Sequence, residues 1–195
     1  MNNRVMYIHE NSYERGIIMK KMLGEERRHE LLNLLKTKNE PITGTDLAKH
    51  ANVSRQVIVN DMNLLKARNE PIVATSQGYV YLKQENRKEV FERKIVCIHT
   101  AAQAEDEMLA IVDCGVTLKN VIVDHPVYGE ITASMMLSNR HDVKSFLQRV
   151  NETKANYLSV LTDGTHLHEI SAPSYELLDR AEQVLREKGY LVEGE

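Results

Sequence analysis

The sequence is poor in cysteine and has no long apolar segment. Its 195 residues contain two cysteines, Cys97 and Cys114, which are too few for a disulfide framework or a zinc knuckle. No apolar run approaches the roughly 20 residues that a membrane-spanning helix needs. The N-terminus also lacks the apolar stretch and the small-residue cleavage site of a signal peptide. We therefore predict a protein of the reducing cytoplasm that does not cross a membrane.

The net charge of −3 does not by itself indicate a nucleic-acid-binding protein. The charge is unevenly distributed, because residues 91–195 hold 10 basic and 17 acidic side chains while residues 24–90 hold 11 and 9. The N-terminal half is thus weakly basic and able to approach phosphates. A difference this small also fits ordinary surface variation, so charge alone does not decide the function.

Three short helices are predicted after residue 22. Leucines at helical spacing indicate a first helix over about residues 25–38. Thr43 and Ser54 are suitable N-caps for a second and a third helix, and the third is expected to end near Ala67. Three helices connected in this way are typical of a helix-turn-helix. On a helical wheel, the half of the third helix expected to face the core holds Val57, Ile58, Met62, Leu64 and Leu65.

The opposite half of the third helix carries side chains that suit base recognition. In a helix-turn-helix this helix enters the major groove, where arginine forks onto guanine and asparagine or glutamine pairs with adenine. We therefore predict a DNA-binding surface made of Ser54, Arg55, Gln56, Val59, Asn60 and Asn63. Two alternatives remain open at this point, a polar face that only meets water and a winged helix that binds another protein.

A wing is predicted directly after the third helix. Strands at residues 72–74 and 79–82 enclose a turn that contains Gly78. The stretch from 43 to 82 resembles the winged helix of bacterial regulators of the biotin-repressor type, and we assign the DNA-binding domain to residues 23–83. Residues 1–22 are polar and irregular, so we expect a disordered extension or a misassigned start there.

Residues 92–195 alternate strands and helices and predict an α+β fold of about 100 residues. A short charged helix at residues 84–92 is expected to join this second domain to the first. The predicted order is a strand at 95–99, a helix at 101–114, strands at 121–124 and 128–137, a helix at 142–150, a hairpin over 157–170 around an Asp-Gly turn, a helix at 174–188 and a final strand at 190–192.

Three histidines of the second domain have the spacing of a metal site. His166 and His168 lie two residues apart in a predicted strand, so both imidazoles point to the same face. His99 ends another strand, and Glu107 follows it by one turn of the next helix. If the strands that carry His99 and His166 are neighbours, three imidazoles and one carboxylate converge. Such a set suits Zn²⁺, Ni²⁺, Cu²⁺ or Fe²⁺.

Three stretches of the second domain resemble those of a known domain. They are residues 99–115, the run Val121-Ile-Val-Asp-His-Pro-Val-Tyr-Gly-Glu130 and the run Asp163-Gly-Thr-His-Leu-His168. Together they are similar to the three-histidine domain which, joined to a winged helix, marks the nicotinate-responsive repressors of NAD biosynthesis, the NiaR family. The resemblance extends from about residue 24 to the C-terminus and implies an α/β-sandwich-like domain after an N-terminal winged helix-turn-helix.

The resemblance also implies ligands and partners. One divalent metal ion per chain, nickel or zinc-like, is implied at His99, Glu107, His166 and His168. Nicotinic acid is implied as the effector that favours binding of a homodimer to double-stranded operator DNA and so shuts off NAD synthesis and niacin uptake genes. His125, with Tyr128 and Glu130 nearby, is expected to line the effector pocket, unless the His-Pro-Val-Tyr-Gly run is only a conformational turn.

Two alternative functions use the same histidines. A metal-responsive repressor would treat the ion itself as the signal. A small metal-dependent enzyme, a hydrolase or a cupin-like oxygenase, would need an open coordination position and a base such as Glu169 or His125. The sequence contains no nucleophile constellation and no glycine-rich phosphate loop, and the helices between the strands disfavour a cupin barrel. We therefore predict that the protein is not an enzyme.

Overall fold

The computed structural model describes residues 23–38, 40–82 and 90–192. The predicted extension at 1–22 and most of the predicted linking helix at 84–92 lie outside these residues. The predicted end of that helix at residue 92 is wrong, because the first strand of the second domain already begins at Phe91. The N-terminal part contains helices α1 (Gly24–Thr37), α2 (Gly44–His50) and α3 (Arg55–Ala67), followed by strands β1 (Ile72–Thr75) and β2 (Gly78–Tyr81).

The helix starts follow the predicted caps. The Thr43 hydroxyl accepts a hydrogen bond from the Asp46 amide at 3.1 Å, and Ser54 accepts one from the Val57 amide at 3.4 Å. Such caps satisfy amide groups that have no partner within the helix. The buried side chains that join the three helices to the wing are Leu31, Leu35, Ile42, Leu47, Ala48, Ala51, Ile58, Met62, Leu65 and Ile72.

Two side chains predicted to face this core do not reach it fully. Leu64 is exposed and Val57 is half-buried. Asp61 of the same helix is buried instead: it is 1% exposed and accepts hydrogen bonds from Arg27 Nε at 2.6 Å and Arg27 Nη2 at 3.2 Å. Arg28 donates to the same carboxylate at 3.1 Å. A buried charge of this kind is tolerated because it is paired and hydrogen-bonded.

The wing is held against the start of α2. Strands β1 and β2 pair antiparallel, and Ile42 and Tyr79 exchange main-chain hydrogen bonds of 3.0 and 2.9 Å. Gly78, at the start of β2, has a φ of +138°, and a Cβ there would lie 2.5 Å from the Ile42 carbonyl oxygen. Only glycine allows the wing to approach this closely.

The second domain is an open antiparallel sheet with helices packed against it. Its elements are β3 (Phe91–Ile98), a 3₁₀ turn at Ala101–Gln103, α4 (Ala104–Asp113), β4 (Thr117–His125), β5 (Gly129–Leu137), α5 (Arg140–Thr153), a 3₁₀ helix at Leu158–Thr162, β6 (Thr165–Ala172) and α6 (Tyr175–Glu187). The strand order is β3-β6-β4-β5, and α4 and α6 pack with buried residues of the sheet such as Ile95, Cys97 and Ile170. This arrangement confirms the α+β prediction and differs from a cupin barrel.

The hairpin predicted over residues 157–170 is wrong in its first arm. Residues Leu158–Thr162 form a 3₁₀ helix, and β6 pairs with β3 and β4 instead. The Asp163-Gly164 turn is present, with Asp163 at a φ of +51° and Gly164 at +92°. A Cβ on Gly164 would collide with the His99 carbonyl oxygen, so this glycine allows the start of β6 to approach the end of β3.

The wing also touches the second domain. The turn between β1 and β2 lies on β5, where the Ser76 amide donates to the Ser134 carbonyl oxygen at 3.1 Å and the Ser76 hydroxyl to that of Met135 at 2.6 Å. In the part of the chain that the structure describes, no helix combines the length and apolar character that a bilayer crossing requires.

Candidate functional site

The four predicted metal ligands meet inside the second domain. His166 and His168 lie two residues apart on β6 and face the same side of the sheet. His99 directly follows β3, which pairs with β6 in the register Cys97 to His166. The Thr100 side chain and the Gln103 side chain form a capping box that starts the next helical segment, and Glu107 follows in the first turn of α4. The strands that carry His99 and His166 are therefore neighbours, which the sequence alone could not decide.

The Glu107 carboxylate is the centre of this histidine cluster, which we define as His99, Glu107, His166 and His168. Oε2 lies 2.7 Å from His99 Nε2 and 3.3 Å from His168 Nε2, and Oε1 lies 3.3 Å from His166 Nε2. The carboxylate of Glu107 is 2% exposed, and the rings of His166 and His168 are equally buried. Although Oε1 is within ion-pairing distance of His166, it makes no hydrogen bond among the described residues.

The hydrogen bond at Nδ1 of each histidine ring fixes which tautomer the ring adopts. Nδ1 of His99, His166 and His168 lies 2.9, 2.9 and 2.6 Å from the main-chain carbonyl oxygens of Thr100, Gly164 and Asn120. A carbonyl oxygen only accepts, so each Nδ1 donates a hydrogen and, in a neutral ring, Nε2 carries the lone pair. This is how metal-bound histidines are usually oriented by their outer partners.

The lone pairs therefore face one another. His166 Nε2 and His168 Nε2 are only 3.1 Å apart, and both point towards the Glu107 carboxylate. Two acceptors and an anion at these distances repel one another unless a proton or a metal cation lies between them. The buried, unbonded Glu107 Oε1 and the three converging nitrogens thus fit a transition-metal ion with nitrogen and oxygen ligands.

The electrostatics of the metal-free cluster agree with its need for positive charge. Burial alone would raise the pKa of Glu107, but the charge of His168 and the neighbouring His166 and His99 side chains lower that pKa well below its usual value. Burial would lower the pKa of His99, yet its hydrogen bond and attraction to Glu107 outweigh burial and raise the pKa. Without a metal, Glu107 is thus an anion that recruits a proton onto His99.

Sequence reasoning missed one neighbour of the cluster. The Sγ atom of Cys97 lies within 4.8 Å of ligand atoms of Glu107 and His166, and the thiol is fully buried. Burial, with Glu107 nearby, raises the pKa of this thiol, so it stays protonated and is a poorer ligand than the imidazoles. The available signal was that Cys97 lies two residues before His99, so the two side chains point to the same face.

A cavity of about 540 Å³ opens from the histidine cluster. Its size is within the range of small-molecule pockets. It is lined by the histidine cluster and by apolar side chains of the helices, such as Met108, Phe146 and Val150. The lining also includes residues of β5 and Ala74, Thr75 and Ser76 of the wing.

The predicted effector residues lie elsewhere. His125 ends β4, Tyr128 lies in the turn after it and Glu130 lies at the start of β5. None of the three lines the cavity, and the side chains of Tyr128 and Glu130 are exposed. His125 Nδ1 accepts hydrogen bonds from the main-chain amides of Val127 at 3.2 Å and Tyr128 at 3.3 Å. This geometry gives His125 a role in shaping the turn, and its contact with an effector stays a prediction.

The predicted DNA-binding side chains form one accessible surface. Ser54, Arg55, Gln56, Asn60 and Asn63 are exposed along α3, and Val59 is half-buried among them. Gln56, Asn60 and Asn63 lie on the side of α3 opposite Ile58, Met62 and Leu65, which anchor the helix in the core, and Arg55 is exposed in the first turn beside Gly44. The helix therefore presents donors and acceptors outward while its packing fixes their orientation.

Comparison with known proteins defines the class. Residues 27–80 match the family model described as an HTH domain, and residues 92–194 match the one described as a 3H domain. A helix-turn-helix with an exposed recognition helix, followed by a 3H domain, makes this a DNA-binding transcription regulator.

Two relatives extend along nearly the whole chain. The chain is 49% identical over 173 residues to the transcription repressor NadR of Bacillus subtilis, covering 88% of this chain and 96% of that protein. It is 36% identical over 173 residues to the probable transcription repressor NiaR of Thermotoga maritima, covering 89% and 97%. The chain belongs to this NadR/NiaR family of helix-turn-helix transcription repressors, which sets aside the enzyme alternative.

Proposed function

We propose that the protein represses NAD biosynthesis and niacin uptake genes, with nicotinic acid as corepressor sensed by a metal-containing second domain. The observation that carries this proposal is the histidine cluster in the lining of a cavity. Its three Nε2 lone pairs and buried carboxylate, at His99, Glu107, His166 and His168, would hold one nickel or zinc-like ion. The cavity beside them has room for a small organic molecule.

A pyridine carboxylate suits the chemistry of this cavity. Residues 91–195 hold 10 basic and 17 acidic side chains, so an anionic ligand needs a local positive charge to bind. A divalent ion in the cluster would supply that charge. The apolar walls formed by Met108, Phe146 and Val150 favour a flat aromatic ring over a sugar or a polyol.

The DNA-binding part of the proposal depends on α3. Arg55, Gln56, Asn60 and Asn63 would read base edges in the major groove, with support from Ser54 and a thymine methyl contact from Val59. A homodimer in the cytoplasm would place two recognition helices about 34 Å apart, on successive turns of the operator. We take residues 23–83 as the DNA-binding unit and 92–195 as the sensing unit.

Operator binding with and without nicotinic acid tests this function. Metal-loaded protein is titrated onto fluorescent DNA fragments from upstream of NAD-synthesis and niacin-uptake genes. Nicotinic acid is expected to tighten binding by roughly 5- to 150-fold, the usual range of allosteric coupling. Nicotinamide, which lacks the carboxylate, serves as the matched control and is expected to have no effect. Equal DNA affinity with and without nicotinic acid would refute its role as corepressor.

A metal-responsive repressor is the second candidate, because the four ligands of the cluster need no organic ligand to complete them. Calorimetry separates the two candidates. Heat on adding nicotinic acid to the metal-loaded protein supports the corepressor, whereas DNA binding that follows metal alone supports the ion as signal. A His125→Ala variant tests the alternative pocket: unchanged nicotinic acid affinity would place the effector away from the β4–β5 turn.

A further inference from the structure

The cavity beside the histidine cluster is built from both domains. The cluster and α4 belong to the second domain, whereas Ala74, Thr75 and Ser76 belong to β1 and the turn of the wing. A molecule in this cavity therefore touches the DNA-binding domain directly. A ligand shifts a conformational equilibrium only if it has different contacts in the two states. Contacts with the wing exist only while the wing is docked, so this cavity meets that condition.

Four hydrogen bonds hold the turn of the wing on the second domain. Ser76 donates from its amide to the Ser134 carbonyl oxygen at 3.1 Å and from its hydroxyl to that of Met135 at 2.6 Å. The Gln77 side-chain amide donates to the Asp142 carbonyl oxygen at 3.1 Å and accepts from Arg149 Nη2 at 3.3 Å. Because Gln77 uses both the nitrogen and the oxygen of its side-chain amide, it is bonded to two residues of α5, Asp142 and Arg149.

The docked turn is connected to the recognition helix through a short path. Strand β2 follows the turn, and its Tyr79 exchanges main-chain hydrogen bonds with Ile42, directly before the N-cap of α2. The Tyr79 ring and Arg55 Nε both flank Gly44, since a Cβ on that glycine would lie 3.5 Å from each. A movement of the wing is thus transmitted to the first residue of α3 through contacts that leave little free space.

We propose that the turn at Ser76 and Gln77 is the coupling element of the repressor. Occupancy of the cavity stabilises the docked turn, and the docked turn sets the position of α2 and Arg55 on the DNA. This inference rests on the proposed function for its ligand, and it assigns to Gln77 and Ser76 a positioning role with no direct contact to the metal.

Replacing Gln77 by alanine separates coupling from ligand binding. Gln77 is half-buried at the domain surface and is not part of the hydrophobic core, so Gln77→Ala is expected to fold. Gln148→Ala is the matched control, because Gln148 is exposed on α5 beside Arg149 and bonds only to Glu152 within its own helix among the contacts described. Calorimetry gives the affinity for nicotinic acid, DNA titration gives the allosteric effect, and amide hydrogen exchange reports on the Ser76 amide.

The variant is expected to bind nicotinic acid within about threefold of the wild-type affinity. Its DNA affinity, however, should change less than about twofold on adding nicotinic acid, while wild type and Gln148→Ala respond by about 5-fold or more. Nicotinic acid should also slow exchange of the Ser76 amide in the wild type. A Gln77→Ala protein that responds as strongly as the wild type would overturn the proposal.

The experiment distinguishes failure of the proposed corepressor function from failure of the proposed coupling element. If calorimetry detects no nicotinic acid binding to the wild type, the proposed function fails, and Ni²⁺ or Zn²⁺ alone becomes the probe. Metal loading should then slow exchange of the Ser76 amide in the wild type and in Gln148→Ala, but less in Gln77→Ala. Unchanged exchange in the wild type on metal loading would overturn the coupling element itself.

Discussion

Replacing Glu107 by glutamine should weaken metal binding far more than it disturbs the fold. Glu107 is 2% exposed, and its carboxylate oxygens lie 2.7 to 3.3 Å from three imidazole nitrogens. Glutamine has nearly the same volume, and its amide can donate to the Nε2 lone pairs, so the metal-free variant should fold. The anionic ligand, however, is lost.

The size of the effect follows from the position of Glu107. Changes to outer partners of metal ligands typically cost 10- to 100-fold in metal affinity. Glu107 would contact the ion directly, and among the described residues it is the only carboxylate in the histidine cluster. We therefore expect the Kd for Ni²⁺ or Zn²⁺ to rise by at least about 100-fold, or about 2.8 kcal/mol.

Competition with a chromophoric chelator measures this Kd on the full chain. Glu105→Gln is the matched control, since Glu105 lies two residues earlier on α4 with an exposed side chain and should leave the Kd unchanged. Circular dichroism of the metal-free proteins verifies folding. If Glu107→Gln binds either metal within about threefold of wild type, Glu107 is not a ligand and the assignment of the cluster is refuted.

Three further predictions concern DNA recognition, stability and pH. Arg55→Ala should weaken operator binding by about 1–3 kcal/mol if Arg55 reads a base. Arg140, an exposed arginine of the second domain, gives the control, because Arg140→Ala should leave operator binding unchanged. Equal effects of the two variants in a DNA titration would show that Arg55 does not contact the operator. Asp61→Asn should destabilise the protein by about 3 kcal/mol in chemical denaturation because it breaks a buried ion pair with Arg27, while Asp179→Asn at an exposed ion pair should cost less than about 1 kcal/mol. The metal-free protein should lose thermal stability as pH rises above about 6.5, the ordinary pKa of histidine, because the folded state raises the pKa of His99 and its stabilising proton is then lost. A flat profile, or an equal loss in His99→Gln, would contradict this cause.

Local signals in the sequence were sufficient for the DNA-binding domain. Thr43 and Ser54 cap the second and third helices as expected, because a side-chain oxygen at these positions satisfies free amide groups. The errors there are small. Asp61 is buried because its charge is paired with Arg27, a contact 34 residues away in sequence. Leu64 is exposed because it lies about 100° or more around α3 from Ile58, Met62 and Leu65.

The second domain was harder because its site depends on long-range pairing. The spacing of His166 and His168 predicts a shared face, but only the pairing of β3 with β6 brings His99 and Cys97 to them. The run from Tyr157 to Leu161 has the composition of a strand but forms a 3₁₀ helix, with Val160 and Leu161 about half exposed. Short apolar runs cannot be assigned from periodicity alone. The docking of Ser76 and Gln77 on β5 and α5 leaves no signal in the sequence at all.

The most direct measurement is anomalous diffraction from crystals of the metal-loaded protein grown with nicotinic acid. We predict one anomalous peak per chain, bonded to His99, Glu107, His166 and His168, with the pyridine carboxylate in the cavity lined by the cluster and the wing. An ion held by other residues, or an empty cavity with nicotinic acid bound at the β4–β5 turn, would contradict it.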